Sequence, residues 1–266
     1  VGQIGYVRAD ITDRRTVSAA VDSATAVVNL VGLLKGKFHS VHVDGARIVA
    51  EESRKAGAGA LVHVSAIGAD PACESRYGRT KGEGEAAVRA AFPKATIVRP
   101  SLVFGPEDGL TNRLASLARL PFLPVIASKR RFQPVYVRDL ARAIASAALE
   151  PEVHAGKLYE IGGPQVLTMA ELHQAVLTAS GQDTKLVEMP DFAARMLAWF
   201  GWLPGAPLTR DQWLMLQRDN VPAKGAGGLA AFGIEPVPLA AIAEEWLGRY
   251  GGSRFAARRV NLTATS

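Results

Sequence analysis

The stretch from Leu61 to Lys81, LVHVSAIGADPACESRYGRTK, constrains the fold more than any other part of the chain. Its first part reads as a buried strand of a parallel sheet. Leu61, Val62, Val64 and Ile67 are apolar, and Gly57 and Gly59 punctuate the approach. The strand is expected to end near Ser65, where Ala66-Ile67-Gly68-Ala69-Asp70-Pro71 breaks the pattern. A helix follows from about Ser75. On it Tyr77 and Lys81 stand four residues apart, on one face and one turn apart. An ammonium so placed can lower the pKa of the phenol and hydrogen-bond a ribose, which suits proton transfer to or from a carbonyl or alcohol during hydride transfer. Chance matches to Tyr-x-x-x-Lys are common, and a solvated pair is the plain alternative. The position just after a buried strand gives this pair its weight.

Around this stretch, strand and helix patterns alternate. Ile4, Tyr6 and Val7 read as a short strand, Arg8 to Asp13 as its exit loop, and Thr16 to Asp22 as a helix with Thr12 or Asp13 as cap. Thr25 to Gly32 reads as a second buried strand, and Phe38 to Ala56 as an amphipathic helix stopped by Gly57. Leu61 to Ser65 is the third strand, Tyr77 to Ala91 the next helix and Ala95 to Val98 the fourth strand. This order predicts the α/β class, with a parallel sheet wound on both faces. Pro100, Gly105 and Pro106 force turns right after the fourth strand, where an open sheet forms its ligand crevice.

Beyond that point, Asn112 to Leu120 is expected to be helical, and Arg131 to Asp139 is a short extended run entering a helix over Leu140 to Leu149. Lys157 to Ile161 reads as a strand. Thr168 with Glu171 forms a capping box that opens a helix to about Ala179. Asp191 to Trp202 is amphipathic and carries Phe192, Met196, Trp199, Phe200 and Trp202. It reads as a helix packed on a small lobe, or as one for a membrane surface or a partner. Thr209 is expected to cap a helix through Gln217, and Leu239 to Tyr250 to form the last helix. The expected division is a sheet domain over 1–165, a smaller, mostly helical lobe over 166–250 and a disordered tail over 251–266.

Composition excludes several classes. No run reaches the roughly 18–20 apolar residues of a membrane span. The opening VGQIGYVRAD lacks the charged-then-apolar pattern of a secretory leader. The single cysteine, Cys73, excludes an internal disulfide and suits a reducing compartment. None of the five histidines has a metal-ligand partner at a recognised spacing, so no metal is expected, and His39 and His42 are assigned to a surface or rim. Net charge is +6, but the arginines are scattered. The clearest cluster, Arg254, Arg258 and Arg259, lies near the end, and no aromatic-interleaved basic patch points to nucleic acid.

A dinucleotide-binding sheet opens with a strand, a glycine-rich turn, a helix, a second strand and an acidic residue. No G-x-G-x-x-G follows a strand early in this sequence, and Gly32, Gly36, Gly57 and Gly59 have the wrong spacing. The expectation is that the first strand-helix-strand is missing. Backbone N–H groups at that helix N-terminus hold a pyrophosphate, so nucleotide binding by the chain as it stands should be impaired.

Four segments now carry a resemblance: Ala9 to Asp13, Val27 to Gly32, Tyr77-Gly-Arg-Thr-Lys81, and Arg99-Pro100-Ser101 through Phe104-Gly105-Pro106. With them the chain resembles the extended and atypical short-chain dehydrogenase/reductase superfamily over roughly residues 4 to 250, which implies a Rossmann-type sheet. VHVSAIGAD, YGRTKGEGEAAVRAAFP, RPSLVFGPEDGLTNR, RFQPVYVRDLARAI, LYEIGGPQVLT and LTRDQWLMLQRDNV make it most similar to the branch of complex I accessory subunits and their bacterial relatives.

The resemblance implies roles position by position. Asp10 and Ile11 would contact an adenine, and Leu30, Val31 and Gly32 would line the cofactor cleft. Ser65 would lie beside the nicotinamide, as a further catalytic candidate. Tyr77 and Lys81 would take the proton-relay and ribose positions. Pro100, Ser101 and Val103 would close over the nicotinamide side. Leu30, Val31 and Val103 would equally be buried core in a protein that binds no nucleotide. Active extended members carry a catalytic Ser or Thr two residues beyond the first serine after this strand; here that position is Ile67. The implied protein binds NADP or NAD, with NADP slightly favoured, in a mainly structural role, as an accessory or assembly factor of complex I or quinone metabolism. The alternative is an active NAD(P)-dependent oxidoreductase or nucleotide-sugar epimerase/dehydratase using Tyr77 and Lys81. The implied partners are the nucleotide and complex I or a membrane surface. The implied location is the cytoplasm, peripheral on the inner face of a bacterial inner membrane, or the matrix side in a eukaryote.

Overall fold

The computed structural model describes residues 3–203 and 205–251. The expected tail, apart from Gly251, and the Arg254, Arg258 and Arg259 cluster lie outside the described residues. In chain order the elements begin with α1 (Arg14–Val21), β1 (Ala26–Asn29), a π-helical turn (Ser40–Gly45) running into α2 (Ala46–Lys55), β2 (Ala60–Val64), α3 (Arg76–Ala91) and β3 (Thr96–Pro100). There follow β4 (Val103–Phe104), α4 (Gly109–Leu117), β5 (Phe122–Val125), β6 (Arg131–Phe132), β7 (Val135–Tyr136), α5 (Val137–Leu149), α6 (Pro151–His154) and β8 (Leu158–Ile161). The last are β9 (Leu167–Thr168), α7 (Met169–Ser180), β10 (Lys185–Glu188), α8 (Asp191–Trp199), α9 (Arg210–Met215), α10 (Leu239–Ile242) and α11 (Glu244–Leu247).

The chain forms two compact units. The first comprises the chain up to Pro100, Ala141–Ile161 and Ala223–Phe232. Its four-stranded sheet has the order β1-β2-β3-β8, and every pairing is parallel. The inner strands explain the apolar runs in the sequence: Leu61, Val62, Ile97 and Val98 are all buried, as a strand covered on both faces requires. Asp13 caps α1 by accepting the Arg15 N–H, and Val17 and Val21 of that helix join Ala46, Val49, Ala50, Leu61, Val88, Phe92 and Ile97 in one core. Arg14 ties α1 to α2 through Glu51 and Glu52.

One expected strand does not form. Residues 4–7 have no strand pairing and run exposed, Tyr6 at 95%. A strand exists only through its backbone partners, and β1 pairs only with β2 among the described residues, so an apolar alternation alone did not suffice.

The second unit comprises Ser101–Leu140, Gly162–Pro222 and the chain from Gly233. Three small two-stranded sheets, β4 with β7, β5 with β10 and antiparallel β6 with β9, surround a core that includes Phe104, Leu123, Tyr136, Leu172, Val176 and Trp246. The Thr168/Glu171 capping box opens α7 as expected, and Thr209 with Gln212 forms a second one at α9. The expected final helix is broken into α10, α11 and a 3-10 turn over Gly248–Tyr250. β5 escaped the sequence reading because Pro124 sits inside it, which argues against a strand unless its N–H side is unpaired. Among the described residues no helix is long and apolar enough to cross a membrane.

Candidate functional site

Three glycines let α3 approach its neighbours closely. A Cβ on Gly78 would stand 2.7 Å from the Cys73 sulfur, one on Gly82 2.6 Å from the Asp70–Pro71 backbone, and one on Gly84 2.0 Å from the His42 carbonyl oxygen. Any side chain there would push the helix away from the loop after β2 and from the π-helical turn. Ser75 caps the helix, its hydroxyl accepting the Gly78 N–H at 3.3 Å. The helix therefore presents Tyr77 and Lys81 at a fixed depth beside the end of β2.

Lys81 is 4% exposed, and its ammonium donates to the Val64 carbonyl at 2.9 Å. The same nitrogen lies 3.6 Å from where a Cβ on Gly32 would stand, so the chain leaving β1 passes it as bare backbone. Burial pushes the Lys81 pKa down to about 8, with the Glu85 carboxylate opposing. Tyr77 is half-buried on the preceding turn, and burial pushes its phenol up to about 12. The spacing predicts that Lys81 lowers this phenol's pKa. In the structure burial outweighs any such effect.

At the tip of β2, Ser65 donates its N–H to the Val98 carbonyl at 2.7 Å, and its buried hydroxyl has no hydrogen-bond partner among the described residues. A buried hydroxyl left unpaired is costly, and such groups call for an explanation. Ile67 follows with its N–H on the Pro100 carbonyl at 3.1 Å, so an apolar residue stands two positions beyond Ser65.

His42 belongs to this cluster, although the sequence reading assigned it to a surface or rim. It is 1% exposed. Its Nε2 accepts the Leu33 N–H at 2.9 Å, which leaves the ring proton on Nδ1, 2.9 Å from the Thr80 hydroxyl. Its ring meets Tyr77 edge-on, centroids 5.5 Å apart. Burial first, then the Lys81 charge, lower its pKa to about 4, so it is neutral at pH 7. The signal that could have found it is its place four residues after Phe38 on the apolar face of the predicted helix. His39, by contrast, is exposed and contacts Asp44 at 3.2 Å, as a rim residue should.

His63 is a second buried imidazole. Its Nδ1 accepts from the Asn29 amide at 3.2 Å across β1 and β2, and the Asn29 oxygen accepts the Val31 N–H at 3.1 Å. That pair fixes the exit of the chain from β1. Burial, with Lys81 and His42 nearby, lowers the His63 pKa to about 3.

The remaining predicted residues separate. Leu30 and Val31 are 65% and 45% exposed, not buried core, because β1 ends at Asn29 and carries both out of the sheet. Asp10 is exposed, and its carboxylate is held below the usual range by the Thr12 N–H and hydroxyl. Ile11 packs on the π-helical turn, 2.9 Å from where a Cβ on Gly45 would stand. Pro100 ends β3, buried. Ser101 and Val103 fall in the second unit. There the Ser101 oxygen lies 2.7 Å from the Asn220 carbonyl oxygen and 3.2 Å from the Gln133 N–H, and Val103 is half-buried opposite Val135.

An ionic clamp holds the helix that carries the pair. Arg99 of β3 grips both oxygens of Glu85 at 2.8 Å and reaches Glu160 of β8 at 3.2 Å. Glu85 is one turn beyond Lys81. No group of three or more His, Cys, Asp or Glu among the described residues could hold a metal.

Residues 8–195 match the family described as RmlD substrate binding domain. Among characterised proteins, the chain is 29% identical to the mitochondrial NADH dehydrogenase (ubiquinone) 1 alpha subcomplex subunit 9 of Mus musculus, over 99% of this chain and 72% of that protein. It is 32% identical to the ceramide reductase of Caulobacter vibrioides, over 71% of this chain and 61% of that one. Among solved structures, an NADPH-dependent quinone oxidoreductase of Escherichia coli complexed with NADPH superposes with a TM-score of 0.70 at 17% identity, covering 90% of this chain and 82% of that one. At that identity the likeness is one of fold. The parallel sheet, with α3 connecting its two inner strands, and these matches together place the chain in the RmlD substrate binding domain family, as a short-chain dehydrogenase-like protein of Rossmann-type fold related to a complex I subunit.

Proposed function

We propose that the first unit holds a nicotinamide dinucleotide, NADP in preference to NAD, mainly as a structural element. In this reading the protein serves complex I or quinone metabolism as an accessory or assembly factor, on the cytoplasmic or matrix side. The relatives support the association, since one is named as an NADH dehydrogenase subunit. The observation that carries the structural role is the state of the would-be proton relay. Tyr77 is held near pKa 12, Lys81 gives one of its three N–H groups to the Val64 carbonyl, and the hydroxyl position of the family is Ile67. A general acid works best with a pKa near the operating pH, and Tyr77 is moved away from it.

The residues fit the nucleotide at one unexplained point: the buried Ser65 hydroxyl lacks a partner at the strand end where such a ligand binds. Lys81 would hold its ribose with Tyr77 in the relay position beside it, Gly32 with Leu30 and Val31 would border it, and Asp10 and Ile11 would meet the adenine. When bound, the nicotinamide can accept or donate a hydride. No glycine-rich turn in these residues supplies pyrophosphate N–H donors, so the chain alone should hold the nucleotide weakly.

The second reading is an active NAD(P)-dependent oxidoreductase or epimerase, favoured by the intact Tyr77/Lys81 pair and by the ceramide reductase relative. NAD(P)H consumption with quinones, aldehydes and nucleotide sugars, compared between native and Tyr77→Phe protein, decides between them. Equal, near-background rates are expected. A loss of more than about a hundred-fold in the variant would establish the enzyme.

A further inference from the structure

Between β1 and the π-helical turn the chain has no regular structure, and Leu30, Val31 and Leu34 are exposed. Two side chains hold this stretch by alternate amides. The Asn29 oxygen accepts the Val31 N–H at 3.1 Å, and Nε2 of His42 accepts the Leu33 N–H at 2.9 Å. Gly32 lies between the two held amides. A Cβ on it would stand 3.6 Å from the Lys81 nitrogen and 3.9 Å from His42 Nε2. The backbone that passes the ammonium is therefore tied to an imidazole beside it. That imidazole is itself fixed. With Nε2 accepting, the ring proton is on Nδ1, which donates to the Thr80 oxygen at 2.9 Å. Thr80 is buried and donates in turn to the Arg76 carbonyl at 2.8 Å. The hydrogen bonds thus run in one direction, from the Leu33 N–H through His42 and Thr80 to the backbone of α3.

The main chain behind the ring is also confined. A Cβ on Gly84 would stand 2.0 Å from the His42 carbonyl oxygen, and the Phe38 ring packs on the imidazole with centroids 5.4 Å apart. We infer that His42 and Thr80 are positioning residues for the nucleotide site, a strut that sets the Gly32 backbone against the Lys81 ammonium and so fixes the room left for a ribose. The inference rests on the nucleotide reading above. Its basis is that Gly32 and Lys81 belong to separate segments, one leaving β1 and one on α3, so neither alone sets the gap between them. The strut joins their immediate neighbours in the chain, Leu33 at one end and Thr80 at the other. Packing alone asks only for an apolar side chain of the right shape. An imidazole at this depth costs desolvation, which its two directed bonds offset. Supporting bonds of this kind hold a site to within about 0.5 Å.

Hydrogen–deuterium exchange of the stretch 30–36 and calorimetric titration with NADPH test this on the native protein, Thr80→Val, His42→Leu and His42→Gln, with far-ultraviolet circular dichroism to verify that each is folded. Valine keeps the volume of threonine and removes its oxygen, while glutamine keeps an acceptor for Leu33. Exchange should rise about five-fold in Thr80→Val and His42→Leu, and NADPH affinity should fall about five-fold, with His42→Gln near native in both. Rescue by glutamine separates positioning from packing, since leucine is the better filler of an apolar site. Unchanged exchange in both Thr80→Val and His42→Leu overturns the strut, whether or not NADPH binds. Raised exchange with native NADPH affinity overturns its role at the site. No NADPH binding by the native protein removes the nucleotide reading instead, and the exchange result then decides the strut by itself.

Discussion

His42 shows how one residue can be buried by chemistry its sequence context does not announce. Each ring nitrogen has a dedicated partner, and protonation would turn Nε2 from acceptor to donor against the Leu33 N–H. The folded state binds this proton only near pH 4, whereas the unfolded chain binds it near 6.5. Between those values the unfolded state holds more protons, so stability falls as pH falls through that window and is fully present above it. The contribution is on the order of 3 kcal/mol across the whole window. Urea midpoints should therefore drop from pH 7 to pH 4.5 in the native protein, and drop less in His42→Gln, which leaves the shares of His63 and His173, both also lowered by burial; parallel curves would remove His42 from this role. Sequence spacing found Tyr77 and Lys81 because their relation is local, one turn of helix. It missed His42 because its partners, Leu33 and Thr80, come from two other segments.

Helix α3 was legible in its extent. What was not legible is why it contains Gly78, Gly82 and Gly84, residues that weaken a helix when judged by propensity alone. Each meets a different piece of backbone or side chain, so the cost is offset by close packing visible only in three dimensions. The same limit applies to β5 and β10, whose pairing joins residues about sixty positions apart with Pro124 inside one strand. The ionic clamp belongs to this scale too, since it ties α3 to β3 and β8. Arg99→Met would leave Glu160 without its arginine and the buried Glu85 with only Arg89, 3.6 Å away, and should cost about 3–5 kcal/mol at neutral pH. Chemical denaturation at pH 7 reads the loss. A variant as stable as the native protein at pH 7 would show that the clamp contributes nothing net.

At the scale of the molecule, the alternation of apolar strands and helices predicted the parallel sheet, and the sheet is there in the order β1-β2-β3-β8. The expected strand at residues 4–7 failed because a strand is a property of a pair, not of a segment. In the proposed reading the nucleotide lies beside the ends of β1 and β2, where Gly32 passes the Lys81 ammonium as bare backbone and the Ser65 hydroxyl has no partner among the described residues. The most direct measurement is a calorimetric titration of NADPH into the native protein and into Lys81→Met, with Tyr77→Phe alongside. Saturable binding to one site is predicted, weak in absolute terms, tighter for NADPH than for NADH, and weakened at least about ten-fold in Lys81→Met but little in Tyr77→Phe. No binding to the native protein, or equal binding to Lys81→Met, would contradict it.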